Sequence, residues 1–335
     1  MPDFRALTVD EVLDRILAAE RPIFLLHNRP DGDTVGSGAA LVRLCRALGK
    51  AAHMACADPI PARLDFIADP DEILPLPLPH GRELFTVDVA SPMQLGGLRS
   101  ILTERPLPLA MIDHHAVGTP YCDHLVDGDA AAAGEMVFRI AKRAVERGTL
   151  PALPNGVVEA CFTALSSDTG CFRFSNATAA THLAAAEMMA AYPEMDTAAI
   201  NHSLFDSKSL SVLRAEAFAG ANLETAMDGK VAFLTVSALD RADFDLGEED
   251  FETAIDVVRS LRGATVAFTV KENRDGKFKA SLRSTGLNVA EVAATFGGGG
   301  HDRAAGCAVP ASSLEDSVDT VLDAIRAQME KEGVL

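Results

Sequence analysis

The sequence predicts an α/β protein in two parts: a parallel-sheet domain over residues 1–191, and a smaller α+β domain over 215–335, joined by a helical linker over 192–214. Three observations carry this. Short apolar runs alternate with helical segments as far as about Ala191, the texture of βαβ units. Past about residue 215 the texture changes to longer strand-like runs with a hairpin signal. A length of 335 residues also exceeds one ordinary core, at roughly 150 residues per domain.

Taken in order, Ile23 to Leu26 has the length and flanks of a buried strand, and "HNRPDGDTVGS" follows it, placing His27, Asp31 and Asp33 just past its end. Thr34 to Leu48 reads as a helix whose Leu41, Leu44, Cys45 and Leu48 form a single stripe facing a core. "AAHMAC", "LFTV" and "LPLAMI" read as further strands, and helices are expected near Gly134 to Val145 and Asn155 to Ser167. The stretch from 192 to 229 looks helical and polar enough to connect domains. Beyond it, "KVAFLTVS" and "ATVAFTVKENRDGKFKASLRS" are strand-like, with a turn at Arg274-Asp275-Gly276-Lys277.

Composition narrows the function. A net charge of −18 and a pI near 4.8 argue against a protein that coats nucleic acid by neutralising phosphates. A small anionic substrate remains compatible if local charge or metal overcomes that field. The six cysteines (Cys45, Cys56, Cys122, Cys161, Cys171, Cys307) lack CxxC spacing and read as reduced core thiols of a cytoplasmic protein. Acidic Asp3, Asp10 and Glu11 stand where a leader would be apolar, and no apolar span of about 18 residues occurs, so neither secretion nor membrane insertion is expected.

Carboxylates and imidazoles then converge. "LFTV" ends in Asp88 and "LPLAMI" ends in Asp113-His114-His115, so three strands finish in such groups at one edge of a parallel sheet, where ligands bind in open α/β folds. Asp168 emerges at the end of a helix with Gly170 just beyond. Alone, each has a blander use: Asp33 could cap the helix starting at Thr34, and His53, His80, His124, His182 and His202 read as ordinary interior or surface residues. Pooled, His27, Asp31, Asp33, Asp88, His114 and Asp168, with His115 adjacent, would repel and raise one another's pKa unless cations compensated them. Two divalent metals would do so, and mixed imidazole and carboxylate donors suit Mn²⁺ or a similar ion, Co²⁺ included, better than Mg²⁺.

On "HNRPDGDTVGS", Asp88, "DHH" at 113–115, "SDTGCFRFS" and "GGGGHDRAAG" at 297–306, nearly the whole chain resembles the DHH phosphoesterase superfamily. It is most similar to the DHH/DHHA1 subfamily that includes bifunctional nano-RNases (oligoribonucleases) and pAp phosphatases. The resemblance implies that His27 and Asp31 hold one metal, that Asp33 and His114 hold the other, and that Asp88 and Asp168 contribute to both or bridge. His115 would face the substrate phosphate, with Asp113 orienting the neighbouring imidazoles. Many relatives place an Arg where Gln94 stands here, which leaves one contact near the scissile phosphate open.

In the second domain, Gly297 to Gly300 cannot be a P-loop, since no GK[ST] follows; Gly298, Gly299 and Gly300 could form an anion nest with His301 as a donor, or simply a flexible turn. Between Arg259 and Arg283 stand seven basic residues and two acidic ones, a surplus of five in a chain of −18. Arg262 and Arg283 are the expected grips for a terminal phosphate. With Trp absent and only two Tyr, no aromatic run suits a long strand, so short single-stranded RNA or small nucleotides are favoured over long duplexes. The resemblance thus implies two-metal hydrolysis in a cleft between the domains. The substrates would be nanoRNA or 3′-phosphoadenosine 5′-phosphate. Alternatives are a cyclic or linear dinucleotide phosphodiesterase (c-di-AMP, pApA), a pyrophosphatase or exopolyphosphatase, and a catalytically silent nucleotide sensor. A homodimer is a further expectation, without a sequence feature that argues for it.

Overall fold

A computed structural model describes residues 4–244, 246–247, 249–273 and 275–334. The chain divides into two compact units, Met1–Ser207 and Lys208–Leu335.

The first unit runs α1 (Val9–Ala18), β1 (Ile23–Leu25), α2 (Gly32–Ala47), β2 (His53–Ala55), β3 (Leu84–Val87), α3 (Ile101–Glu104), β4 (Met111–Asp113), β5 (His124–Val126), α4 (Ala133–Glu146), α5 (Asn155–Asp168), α6 (Ala179–Ala191) and α7 (Thr197–Asn201). Its five strands form an all-parallel sheet in the order β2-β1-β3-β4-β5. Alternate residues serve opposite faces, as the two-residue period of a strand requires. Phe24, Leu26, Phe85, Val87 and Ile112 join one core, and Ile23, Leu25, Leu84 and Met111 the other. Both faces are therefore covered, as parallel sheets require.

Helix α2 departs from the single stripe expected of it. Gly32 through Val42 are all buried, as are Leu44 and Cys45, because α2 packs against β1, β2 and β3 and also against α4 and α5. Glycines make two of the helix approaches close, Gly36 that of α2 to α5 and Gly134 that of α4 to α5. A Cβ on Gly36 would lie 2.8 Å from the Ala160 carbonyl oxygen, and one on Gly134 would lie 2.4 Å from the Ala164 Cβ.

The second unit contains α8 (Leu210–Asn222), β6 (Glu224–Ala226), β7 (Val231–Val236), α9 (Ala238–Phe244), α10 (Ala254–Val258), β8 (Val266–Glu272), β9 (Phe278–Ser284), α11 (Val289–Ala294), β10 (Gly299–His301), β11 (Ala304–Val309) and α12 (Leu314–Glu332). The sheet order is β10-β11-β9-β8-β7-β6, in which, among the described residues, β7–β8 is parallel and the other pairs are antiparallel. One face packs Phe268, Leu282 and Val266 against Val321 and Ile325 of α12; the other packs Leu234 and Val236 against Phe218 of α8 and Ile255 of α10.

Of the expected turn after β8, Arg274 lies outside the described residues. Around it, the Asn273 N–H donates to the Lys277 carbonyl at 2.7 Å, and Gly276 takes a left-handed φ of 75°, closing the β8–β9 hairpin. The glycine run is not a flexible turn: Gly299 and Gly300 belong to edge strand β10, paired with β11. A Cβ on Gly298 would stand 2.3 Å from the Gly306 carbonyl oxygen, and one on Gly300 2.4 Å from that of Ala304, so glycine is needed for backbone approach. All six cysteines are free thiols, five of them buried, and no described helix is long and apolar enough to cross a membrane.

The crowding at Gly134 leads to a prediction. Gly134→Val should destabilise the protein by about 1–3 kcal/mol, the usual cost of overpacking. Gly286→Ala, where an added Cβ meets nothing within 4 Å, should be near neutral. Urea unfolding of both variants checks the contrast; equal midpoints would remove the argument.

Candidate metal centre

The site is built where β1, β3 and β4 end side by side. His27 lies two residues past β1, Asp88 one past β3, and Asp113 closes β4 with His114 and His115 beyond. Asp88 takes a left-handed backbone, φ 58°, while its N–H still donates to the Ile112 carbonyl at 2.9 Å. That turn at the strand end accompanies a shared carboxylate. Asp88 Oδ2 lies 3.3 Å from His27 Nε2, and Oδ1 lies 3.6 Å from His114 Nε2 and 3.5 Å from His115 Nδ1. Oδ1 is buried and has no hydrogen-bond partner.

Around that carboxylate the donor atoms fall into three groups, each within 4.8 Å: His27, Asp31 and Asp88; Asp33, His114 and Asp168; Asp88, His114 and His115. All seven residues pooled from the sequence are thus together, and Asp168 stands with Asp33 and His114. His53, His80, His124, His182 and His202 belong to none of these groups; His182 instead stacks on Phe172 at 5.1 Å.

The two leading imidazoles are oriented alike. His27 Nδ1 lies 2.8 Å from the Asn28 carbonyl oxygen and His114 Nδ1 3.2 Å from that of Ala130. A carbonyl only accepts, so each Nδ1 is the donor and each Nε2 is turned to the carboxylates, the arrangement of metal-ligating histidines. His115 Nδ1 instead donates to Asp113 Oδ1 at 2.8 Å, and Asp113 is fully buried with its Oδ2 unpartnered.

Asp33 does not cap α2. The N-cap is Asp31, which accepts from the Asp33 and Thr34 N–H groups at 3.0 and 3.1 Å. Asp33 lies inside the first turn, 1% exposed, and accepts from Ser37 Oγ at 2.8 Å, the Ala133 N–H at 2.8 Å and the Gly134 N–H at 3.0 Å. Its carboxylate therefore sits on the N-terminus of α4, where a helix favours negative charge. Sequence reasoning missed this: the stretch Ala130–Gly134 acts through backbone atoms. Its only legible trace was the start of the next helix.

Electrostatics follow from burial and crowding. Burial, with the Asp88 charge, pushes the Asp33 carboxyl well above its usual range. Burial, aided by Asp31 and Asp88 and opposed by His114, raises Asp168 to about 7. For His27, burial works to lower the pKa, but hydrogen bonds and charge from Asp31 and Asp88 outweigh it and raise it to about 12. His114 is likewise opposed by burial, yet carried to about 9 by Asp33, Asp168 and Asp88. Burial would raise Asp31, but His27 and two backbone N–H groups hold it down at about 2.

Family models match along both units: "DHH family, N-terminal domain" over residues 23–165 and "DHHA1 domain" over 228–331. A curated relative from Thermus thermophilus, named bifunctional oligoribonuclease and PAP phosphatase NrnA, is 30% identical over 97% of this chain and 95% of its own. The chain belongs to the DHH/DHHA1 family of phosphoesterases. A relative of the same name from Bacillus subtilis is 26% identical, over 89% of this chain and 92% of its own. Among solved structures, an exopolyphosphatase-related protein from Bacteroides fragilis superposes with a TM-score of 0.85 at 21% identity, covering 95% of each chain. RecJ from Thermus thermophilus, in complex with Mn²⁺, gives 0.57 at 17% identity over 97% of this chain and 56% of its own. Those two likenesses establish the fold.

Within this DHH/DHHA1 hydrolase, Gln94 is engaged locally. Its Oε1 accepts from the Ser91 N–H at 3.1 Å, and its carbonyl accepts from the Asn28 N–H at 2.6 Å, tying the second motif to the first. In the second unit, half-buried Arg283 lies near the end of β9 and exposed Arg262 in the turn before β8. The Ala267–Arg283 register puts both arginines at one end of the hairpin.

With the pKa values of His27 and His114 raised by the surrounding carboxylates, a cation held by their Nε2 atoms would compete with protons there. Apparent Mn²⁺ affinity should rise between about pH 6 and pH 8, with net proton release seen by calorimetry in buffers of different ionisation enthalpy. The raised histidine values also stabilise the metal-free fold fully below about pH 6.5, a contribution lost as pH climbs through about 9 and then about 12. An affinity independent of pH would contradict this protonation pattern.

Proposed function

We propose that this chain is a metal-dependent phosphoesterase that releases mononucleotides from short oligoribonucleotides and AMP from 3′-phosphoadenosine 5′-phosphate. The observation that carries the reading is the Asp88 carboxylate: Oδ2 is turned to His27 and Oδ1 to His114 and His115, and the buried Oδ1 has no hydrogen-bond partner. The donor set fits two divalent ions, Mn²⁺ best, since imidazole nitrogen and carboxylate oxygen are mixed. His27, Asp31 and Asp88 would hold one; Asp33, Asp88, His114 and Asp168 would hold the other. Bound there, the ions would neutralise phosphate charge and acidify water to a pKa near about 7, supplying hydroxide at neutral pH.

The chain's own residues then divide the work. Asp113 holds Nδ1 of His115, so the proton His115 moves toward the leaving oxygen is carried on Nε2. The α4 N-terminus keeps Asp33 fixed as charge changes around it. In the second unit Arg262, Arg283, Gly298, Gly299, Gly300 and His301 would bind a distal phosphate or base. The names of the relatives, oligoribonuclease and PAP phosphatase, support the substrate assignment.

The test is product release, with Mn²⁺ and with EDTA, from pAp, pApA, an RNA five-mer, an RNA 24-mer, cyclic di-AMP and pyrophosphate. Metal-dependent turnover of pAp and the short RNAs is expected; turnover of cyclic di-AMP or pyrophosphate alone would overturn the substrate reading. Asp88→Asn should cost more than about 100-fold in turnover, beyond the loss typical of residues that only support a ligand. Arg283→Ala should raise KM with turnover little changed, the sign of lost uniform binding; the reverse split would remove Arg283 from substrate binding.

A further inference from the structure

One polar side chain outside the pooled set links Asp168 of the second donor group to a neighbouring backbone segment. Asn176, eight residues past Asp168, directs Nδ2 at three acceptors: the Ala131 carbonyl at 3.1 Å, the Asp168 carbonyl at 3.1 Å and Asp168 Oδ2 at 3.4 Å. Three oxygen acceptors fix the amide orientation, since an Asn oxygen could not serve them. Its own Oδ1 is buried without a partner.

Ala131 belongs to the stretch that already holds the other two members of that group. The Ala130 carbonyl accepts from His114, and the Ala133 and Gly134 N–H groups donate to Asp33. Asn176 therefore pins the end of α5, which carries Asp168, to the backbone segment that sets His114 and Asp33. The loop delivering it is tightly wound. Gly170, Cys171 and Phe172 are all left-handed, with φ of 57°, 56° and 61°. The Thr169 hydroxyl accepts from the Phe172 N–H at 3.0 Å, and the Ser166 carbonyl accepts from the Cys171 N–H at 2.8 Å. Left-handed backbone in non-glycine residues costs energy and persists only where its surroundings impose it. Here it turns the chain back so that Asn176 reaches Asp168.

We propose that Asn176 is a positioning residue that sets how tightly Asp33, His114 and Asp168 grip their cation, leaving the His27–Asp31–Asp88 group unaffected. The inference rests on the metal reading above. Residues that orient a ligand typically contribute 10- to 100-fold to metal affinity.

The experiment is a Mn²⁺ titration of the full-length protein by calorimetry and by electron paramagnetic resonance, comparing wild type with Asn176→Ala and Asn176→Ser. Wild type should bind two Mn²⁺ per chain. Asn176→Ala should keep one site at wild-type affinity and weaken the other by about 10- to 100-fold, with turnover restored as Mn²⁺ is raised. Asn176→Ser, which retains one short donor, should fall between. Two sites of wild-type affinity in both variants would overturn the inference and leave the metal reading standing. Equal weakening of both sites, in variants whose EDTA-treated forms melt as wild type does, would overturn it too. Wild type that binds no Mn²⁺ would overturn the metal reading itself, and this inference with it.

Discussion

Like charge held out of water at the carboxyl end of one parallel sheet is the constraint on which the first unit depends. Asp33, Asp88 and Asp113 are at most 2% exposed, and Asp168 is drawn into the same cluster. Such a set is costly unless each carboxylate finds compensation. The protein supplies some of it: a helix N-terminus for Asp33, imidazoles around Asp88, an amide for Asp168. It leaves Asp88 Oδ1 without a hydrogen bond. A buried polar atom left unpaired in this way calls for an explanation, and a cation supplies the simplest one.

The scaffold follows from that need. Parallel strands all present their carboxyl ends at one edge, so residues far apart in sequence converge without a long loop. Holding them there demands rigidity. Helix α2, capped by Asp31 and carrying Asp33, is buried along most of its length, with Gly36 where α5 comes closest. A shift of α2 would carry the first motif away from Asp88, and packing at crystal-like density resists such shifts. The short stretch Ala130–Gly134 adds a second constraint: its main-chain atoms address His114, Asp33 and, through Asn176, Asp168.

The second unit is organised differently. Its mixed sheet has helices packed into a core on each face and ends in a glycine-rich edge strand whose residues are exposed. Close backbone pairing explains Gly298 and Gly300 sterically, and an exposed edge keeps N–H groups accessible to an anion. Positive charge is concentrated in the stretch from Arg259 to Arg283, seven basic residues against two acidic ones within a strongly acidic protein, which suits a small anionic ligand better than a long polyanion.

Much of this was legible in the sequence. Apolar runs of strand length marked β1, β3 and β4, and the polar residues just past them gave the site, because the edge of a parallel sheet is set by strand direction alone. Cluster membership of His27, Asp31, Asp33, Asp88, His114 and His115 could be read that way, and that of Asp168 from its place at the end of a helix. What the sequence could not decide was the division of labour. Whether Asp31 or Asp33 caps α2 depends on which carboxylate finds other donors, and those come from the N-terminus of α4, about a hundred positions away. That α2 is buried nearly all round depends on helices contributed later in the chain, so its own periodicity understated its burial. The Ala130–Gly134 backbone carries no pattern of residue type, since main-chain atoms are the same at every position, and the Asn176 side chain gains its role only from the fold that brings Ala131 and Asp168 within its reach. Sequence by itself determined which chemical groups meet at the sheet edge; only tertiary packing decided which backbone atoms hold His27, His114 and Asp33, because those contacts belong to geometry between segments and to no residue's identity.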